Sequence, residues 1–62
     1  MNHGIKFIIG EEVEMIDTKR HGIVDHLKLE DHEFYYAVSY IEDGKEKVKL
    51  FADNKIKSDW HK

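Results

Sequence analysis

The chain has 62 residues, with ten Lys and Arg against thirteen Asp and Glu, and neither cysteine nor proline. That length allows one domain at most, of marginal stability, because so short a chain buries only about 60% of the surface its unfolded form exposes. The composition excludes a disulfide framework and a cysteine-based zinc site, and no apolar run approaches the roughly 20 residues that a membrane-spanning helix needs. The net charge of −3 is also unlike the basic surface of a general nucleic-acid binder.

The first segment, residues 1–9, reads as a lead-in. Its apolar run "IKFIIG" is short, and no signal-peptide cleavage pattern follows it. With no cysteine present, a reducing, cytoplasmic setting is expected. Residues 10–62 are expected to form a single domain. Strand signals begin at "GEEVEMID", where Val13 and Met15 alternate with glutamates, predicting a strand near 11–16. The polar "DTKRH" and Gly22 then read as a loop.

A second strand is predicted over 22–30. Val24 has the opposite parity to Leu27 and Leu29, and a bulge near Asp25 and His26 would put all three on one face. "EDHE" reads as a turn. "FYYAVSYI" is the strongest strand signal, near 34–41, with Tyr36, Val38 and Tyr40 on one face and Tyr35, Ala37, Ser39 and Ile41 on the other.

Asp43-Gly44 is a hairpin turn, since both residues accept positive φ. The next strand, near 45–51, is expected to face Val48 and Leu50 inward and Lys45, Lys47 and Lys49 outward. Val48, Phe51, Ala52 and Ile56 also fit helical spacing, but the turn and the β-branched Val48 favour a strand. One short helical turn is expected near 52–55, and a last strand near 56–60. The predicted core is Val13, Val24, Leu27, Tyr36, Val38, Val48, Leu50 and Ile56. Five short strands cannot make a two-sheet sandwich of ordinary size, so the expected fold is all-β, a small, strongly bent five-stranded barrel.

This order of residues resembles the SH3-like barrels of the KOW and Tudor type. The resemblance runs from Gly10 to Lys57. It is carried by Gly10, Glu12 and Val13; Gly22 and Val24; Tyr36, Val38 and Tyr40; Asp43 and Gly44; and Asn54 to Ile56. It is closest in pattern to small SH3-like proteins of bacteria, phages and prophages. The resemblance implies a five-stranded SH3-like barrel that binds a partner and catalyses nothing. Asp25 and Lys55 stand where KOW segments carry other residue types.

The residues themselves offer little chemistry. His21, His26 and His32 are five and six apart, outside the usual zinc spacings, so no metal is expected. Ser39 and Ser58 lie in no Gly-x-Ser-x-Gly elbow, and no glycine-rich phosphate cradle is present. No enzyme activity and no cofactor are expected. A surface remains. Lys19 and Arg20 in the first loop, the alternating Lys45, Lys47 and Lys49, and an outward Tyr35 form the candidate partner-binding set. The expected partner is a protein, with a KOW-like nucleic-acid-binding barrel as the alternative. A subunit stable only as an oligomer is a third possibility. Outward lysines also have a purely protective use, since they discourage strand-to-strand aggregation.

Overall fold

The computed structural model describes residues 4–59. Five strands form one antiparallel sheet: β1 (Glu12–Met15), β2 (His21–Glu30), β3 (Glu33–Glu42), β4 (Lys45–Ala52) and β5 (Ile56–Ser58). Their order across the sheet is β4-β3-β2-β1-β5, and a 3₁₀ turn at Asp53–Lys55 separates β4 from β5. The fold is all-β and barrel-like, as expected. Trp60, placed in the last predicted strand, lies outside the described residues.

Two tight turns set the register of the long strands. Asp31 and His32 both have positive φ, and so do Asp43 and Gly44. Two-residue turns of this hand match the twist of the flanking strands. They place Glu30 opposite Glu33 and Glu42 opposite Lys45. The predicted bulge is present: the β2–β3 register shifts between Val24 and His26. Asp25 is the extra residue, and Leu27 thereby comes opposite Tyr36 on the same face as Val24. The bulge also bends β2, which pairs with β1 through its first residues and with β3 along most of its length.

The core is Phe7, Val13, Met15, Val24, Tyr36, Val38, Tyr40 and Ile56, with Leu27, Phe34 and Phe51 packed against it. Six of the eight predicted core residues belong to this cluster or its margin. Val48 and Leu50 do not, being 51% and 44% exposed. The reason is geometric. Directly opposed residues in an antiparallel pair share a face. The Asp43-Gly44 turn sets Lys47 opposite Tyr40, Lys49 opposite Val38 and Phe51 opposite Tyr36. The face that buries Tyr36, Val38 and Tyr40 therefore carries the lysines, and Val48 and Leu50 fall on the other.

The N-terminal segment packs onto the barrel. Phe7 is buried and meets the Tyr36 ring edge-on, with centroids 5.2 Å apart. The backbone N–H of Lys6 donates to the Tyr36 hydroxyl at 2.9 Å, and the Gly10 N–H donates to the Val24 carbonyl at 2.8 Å. The apolar run before Gly10 thus contributes one core side chain, Phe7, while Ile8 and Ile9 stay exposed.

Candidate partner-binding surface

A cleft of about 180 Å³ opens between β4 and the β1–β2 turn. Met15, Tyr40 and Phe51 supply its apolar lining, and Asp17, Thr18 and Arg20 come from the turn. Glu42 and Lys49 reach it from the β3–β4 hairpin, and Lys55 from the 3₁₀ turn. The turn is held by two backbone bonds, Met15 N–H to the Arg20 carbonyl at 2.8 Å and Lys19 N–H to the Met15 carbonyl at 2.7 Å. Lys19 takes a positive φ to make this possible. Pockets for drug-sized ligands run from about 300 Å³ upward. This cleft suits a single side chain or anionic group.

Charge around it is unevenly matched. Arg20 Nη2 lies 3.4 Å from Glu42 Oε2, and Lys47 Nζ lies 4.0 Å from Glu42 Oε1. One carboxylate thus serves two cations. Lys49 and Lys55 make no ion pair among the described residues. Such exposed pairs contribute at most about 1 kcal/mol each, so Glu42 does little to hold Arg20 and Lys47 against a competing carboxylate.

The structure brings part of the predicted set together. Arg20, Lys47 and Lys49 converge on Glu42 and the cleft, and Lys19 lies in the turn beside Arg20. Lys45 continues the row toward the end of the hairpin. Tyr35, expected to point outward with the lysines, does not join them. It pairs with Ala52 and Lys28 on the opposite face and is half-buried. The aromatic side chains beside the lysines are Tyr40, opposite Lys47, and Phe51, two residues beyond Lys49 on the same face. Lys55 was masked by its place in an expected helical turn. The hairpin register sets the two aromatics beside the lysines, and the approach of the 3₁₀ turn adds Lys55 to the same cleft.

The opposite face carries its own apolar patch. Ile23, Ser39 and Val48 form one cross-strand row, and Leu50 sits beside the buried Ala37. Ile41 lies at the hairpin end, 62% exposed. Ser39 is not free for chemistry, since its hydroxyl donates to Glu46 Oε2 at 2.9 Å. The Ser58 hydroxyl likewise donates to Glu11 Oε2 at 2.7 Å.

The three central histidines stay apart. His26 Nδ1 bonds Asp25 Oδ2 at 2.8 Å beside the bulge, and His32 forms part of the β2–β3 turn. His21 meets partners that sequence spacing hides. Its Nδ1 lies 2.6 Å from Asp59 Oδ2, and Glu14 is its cross-strand neighbour. The hydrogen-bonded Asp59 carboxylate holds the imidazolium above the ordinary value of 6.5, and Glu14 and Glu12 add to this. Ligand atoms of Glu14, His21 and Asp59 lie within 4.8 Å of one another. A zinc ion holds its ligands at about 2.0–2.2 Å. A metal placed there would have to displace the proton that joins His21 Nδ1 to Asp59 Oδ2.

The chain matches no family model, no curated protein and no solved structure.

Proposed function

We propose that the chain is a binding module without catalytic activity, an SH3-like barrel that docks on an acidic segment of a partner protein. The observation that carries this reading is the cleft between β4 and the β1–β2 turn. It joins an apolar lining of Met15, Tyr40 and Phe51 to a charged rim in which Arg20, Lys49 and Lys55 outnumber Asp17 and Glu42. An apolar anchor with charges at its margin is a common arrangement for recognising a protein segment, the anchor supplying affinity and the charges steering the encounter. The strand order and the 3₁₀ turn before β5 support the SH3-like reading. On this reading the module acts in the cytoplasm, and its size fits an accessory protein of bacterial, phage or prophage origin.

The alternating lysines of β4 favour a second reading, a KOW-like barrel that tracks a phosphate backbone. Glu42 among those lysines and the net charge of −3 count against it, because both repel a polyanion. A pull-down from source-cell lysate, with and without nuclease, separates the two. The expected result is a protein partner that survives nuclease and is lost with Lys49→Glu and Lys55→Glu together. A partner that disappears with nuclease would establish the second reading instead. Retention by the double variant would place the site elsewhere.

A further inference from the structure

β4 is the outermost strand on its side of the sheet, hydrogen-bonded to β3 alone. From Lys45 to Leu50 it is exposed on both faces. The Asp43-Gly44 turn has two residues, both with positive φ. In such a hairpin the closing pair, here Glu42 and Lys45, exchanges both backbone hydrogen bonds, and the pattern alternates from there. The N–H and C=O groups of Lys45, Lys47 and Lys49 therefore point toward β3. Those of Glu46, Val48 and Leu50 point out of the sheet. Among the described residues, none of these three takes part in a backbone bond outside the ladder. An open edge with three outward donor–acceptor pairs is a template for another strand.

Charge decides which strand fits. Pairing with β4 of a second copy sets lysine against lysine in the antiparallel registers that centre between Lys45 and Lys49, because opposed residues share a face. Centred on Val48, Lys47 would meet Lys49; centred on Lys47, that residue would meet itself. Like charges in such positions are destabilising. The same row complements a strand with carboxylates at alternate positions. Lys45 and Lys49 make no ion pair among the described residues, and Lys47 has only the 4.0 Å contact to Glu42. On the other face, Val48 and Leu50 are exposed and offer apolar contact. Glu46 lies on that face too, accepting from the Ser39 hydroxyl.

We infer that the open edge of β4 binds an extended protein segment by strand addition. The segment carries carboxylates at alternate positions against Lys45, Lys47 and Lys49, and apolar side chains between them against Val48 and Leu50. This rests on the binding-module reading above and names the chemistry of its partner. Backbone bonds to Glu46, Val48 and Leu50 would supply register-specific affinity, and the two faces would supply the sequence preference.

The probe is the peptide Val-Glu-Val-Glu-Lys-Glu, which in antiparallel register runs opposite Leu50, Lys49, Val48, Lys47, Glu46 and Lys45 in turn. Two controls share its composition or charge: the isomer Lys-Val-Val-Glu-Glu-Glu, and the same peptide N-methylated on its two valines and its lysine, which removes the edge donors. Affinity is read by fluorescence anisotropy, and amide exchange at Glu46, Val48 and Leu50 by NMR. The alternating peptide should bind at least tenfold tighter than either control and slow exchange at those amides. Lys45→Glu, Lys47→Glu and Lys49→Glu combined should lose it and take up Val-Lys-Val-Lys-Lys-Lys instead, whose fifth residue still faces Glu46. Equal affinity for peptide and isomer, with no added protection at the edge, would overturn strand addition and leave the acidic-partner reading standing. A dimer with these amides already protected in the absence of peptide would overturn it in favour of a second copy. Loss of the cellular partner on nuclease treatment is the separate result that would remove the underlying reading.

Discussion

Gly22→Ala tests how tightly the sheet closes on itself. Gly22 stands opposite Val13 in the β1–β2 pair. A Cβ at this position would lie 2.6 Å from the Ser39 carbonyl oxygen, 2.6 Å from Val38 Cγ1 and 3.3 Å from Tyr40 Cβ. Carbon–carbon contacts are most favourable near 3.5–4.0 Å, so the first two neighbours would have to retreat by roughly 1 Å. Neither is free to do so. The Ser39 carbonyl belongs to the backbone of β3, which is paired on both sides, and Val38 is fully buried. Overpacking of this kind costs about 1–3 kcal/mol, and sometimes more. A reduced entropy of the unfolded chain offsets about 0.4–1 kcal/mol of that. Because both neighbours are held, the cost falls at the upper end of that range, and a net loss of about 2 kcal/mol is expected. At about 0.05–0.15 kcal/mol per residue, the 62 residues are stable by about 3–9 kcal/mol in all. The variant should therefore lose a quarter to two-thirds of its stability.

Urea unfolding followed by circular dichroism measures this. With a slope near 1 kcal/mol per molar for so small a chain, the midpoint should fall by about 2 M. A double-mutant cycle with Val38→Ala identifies the cause. Val38→Ala alone should cost about 2 kcal/mol through lost burial and the cavity left behind. In the double variant the methyl that the new Cβ meets is gone, so the combined loss should fall short of the sum by about 1 kcal/mol or more. A Gly22→Ala midpoint within about 0.5 M of the parent, or strict additivity, would refute the reasoning.

Three further outcomes follow from the same geometry. Val48→Ala, on the exposed face, should change stability by no more than about 0.5 kcal/mol, against about 2 for Val38→Ala; equal losses would mean the β4 register is wrong. Phe7→Ala should cost about 3 kcal/mol in urea unfolding, since it removes a buried ring packed on Tyr36, and no loss would mean that the N-terminal segment does not dock. His21 has a folded pKa raised above 6.5 by Asp59, so its stabilisation is complete below about pH 6.5 and disappears as pH rises through the raised value. Unfolding midpoints from pH 6 to 9 should show this decline in the parent and not in His21→Gln; identical slopes would mean that the His21–Asp59 bond does not form.

Much of the strand layout was legible in sequence because its signals are local. Tyr36, Val38 and Tyr40 alternate on a β-branched and aromatic run, Asp43-Gly44 accepts the positive φ of a tight hairpin, and the parity break between Val24 and Leu27 demanded an extra residue at Asp25. The face of β4 was legible too, but two readings of it conflicted. Hydrophobicity pointed Val48 and Leu50 inward, whereas a two-residue turn after Tyr36, Val38 and Tyr40 requires the odd-numbered residues of β4 on their face. The turn prevails because it sets the register of the whole hairpin, while each exposed apolar side chain loses only its own burial.

The sequence by itself determined the strands, the turns, the bulge and the row of lysines, all of which depend on residues within a few positions of one another. Only the tertiary structure decided that Lys55 lines the same cleft as Lys49, that Phe7 enters the core, and that Asp59 meets His21 across 38 positions of sequence. These are consequences of curling one sheet until its distant strands approach. That approach depends on strand bend and crossing geometry, which no short window of residues encodes.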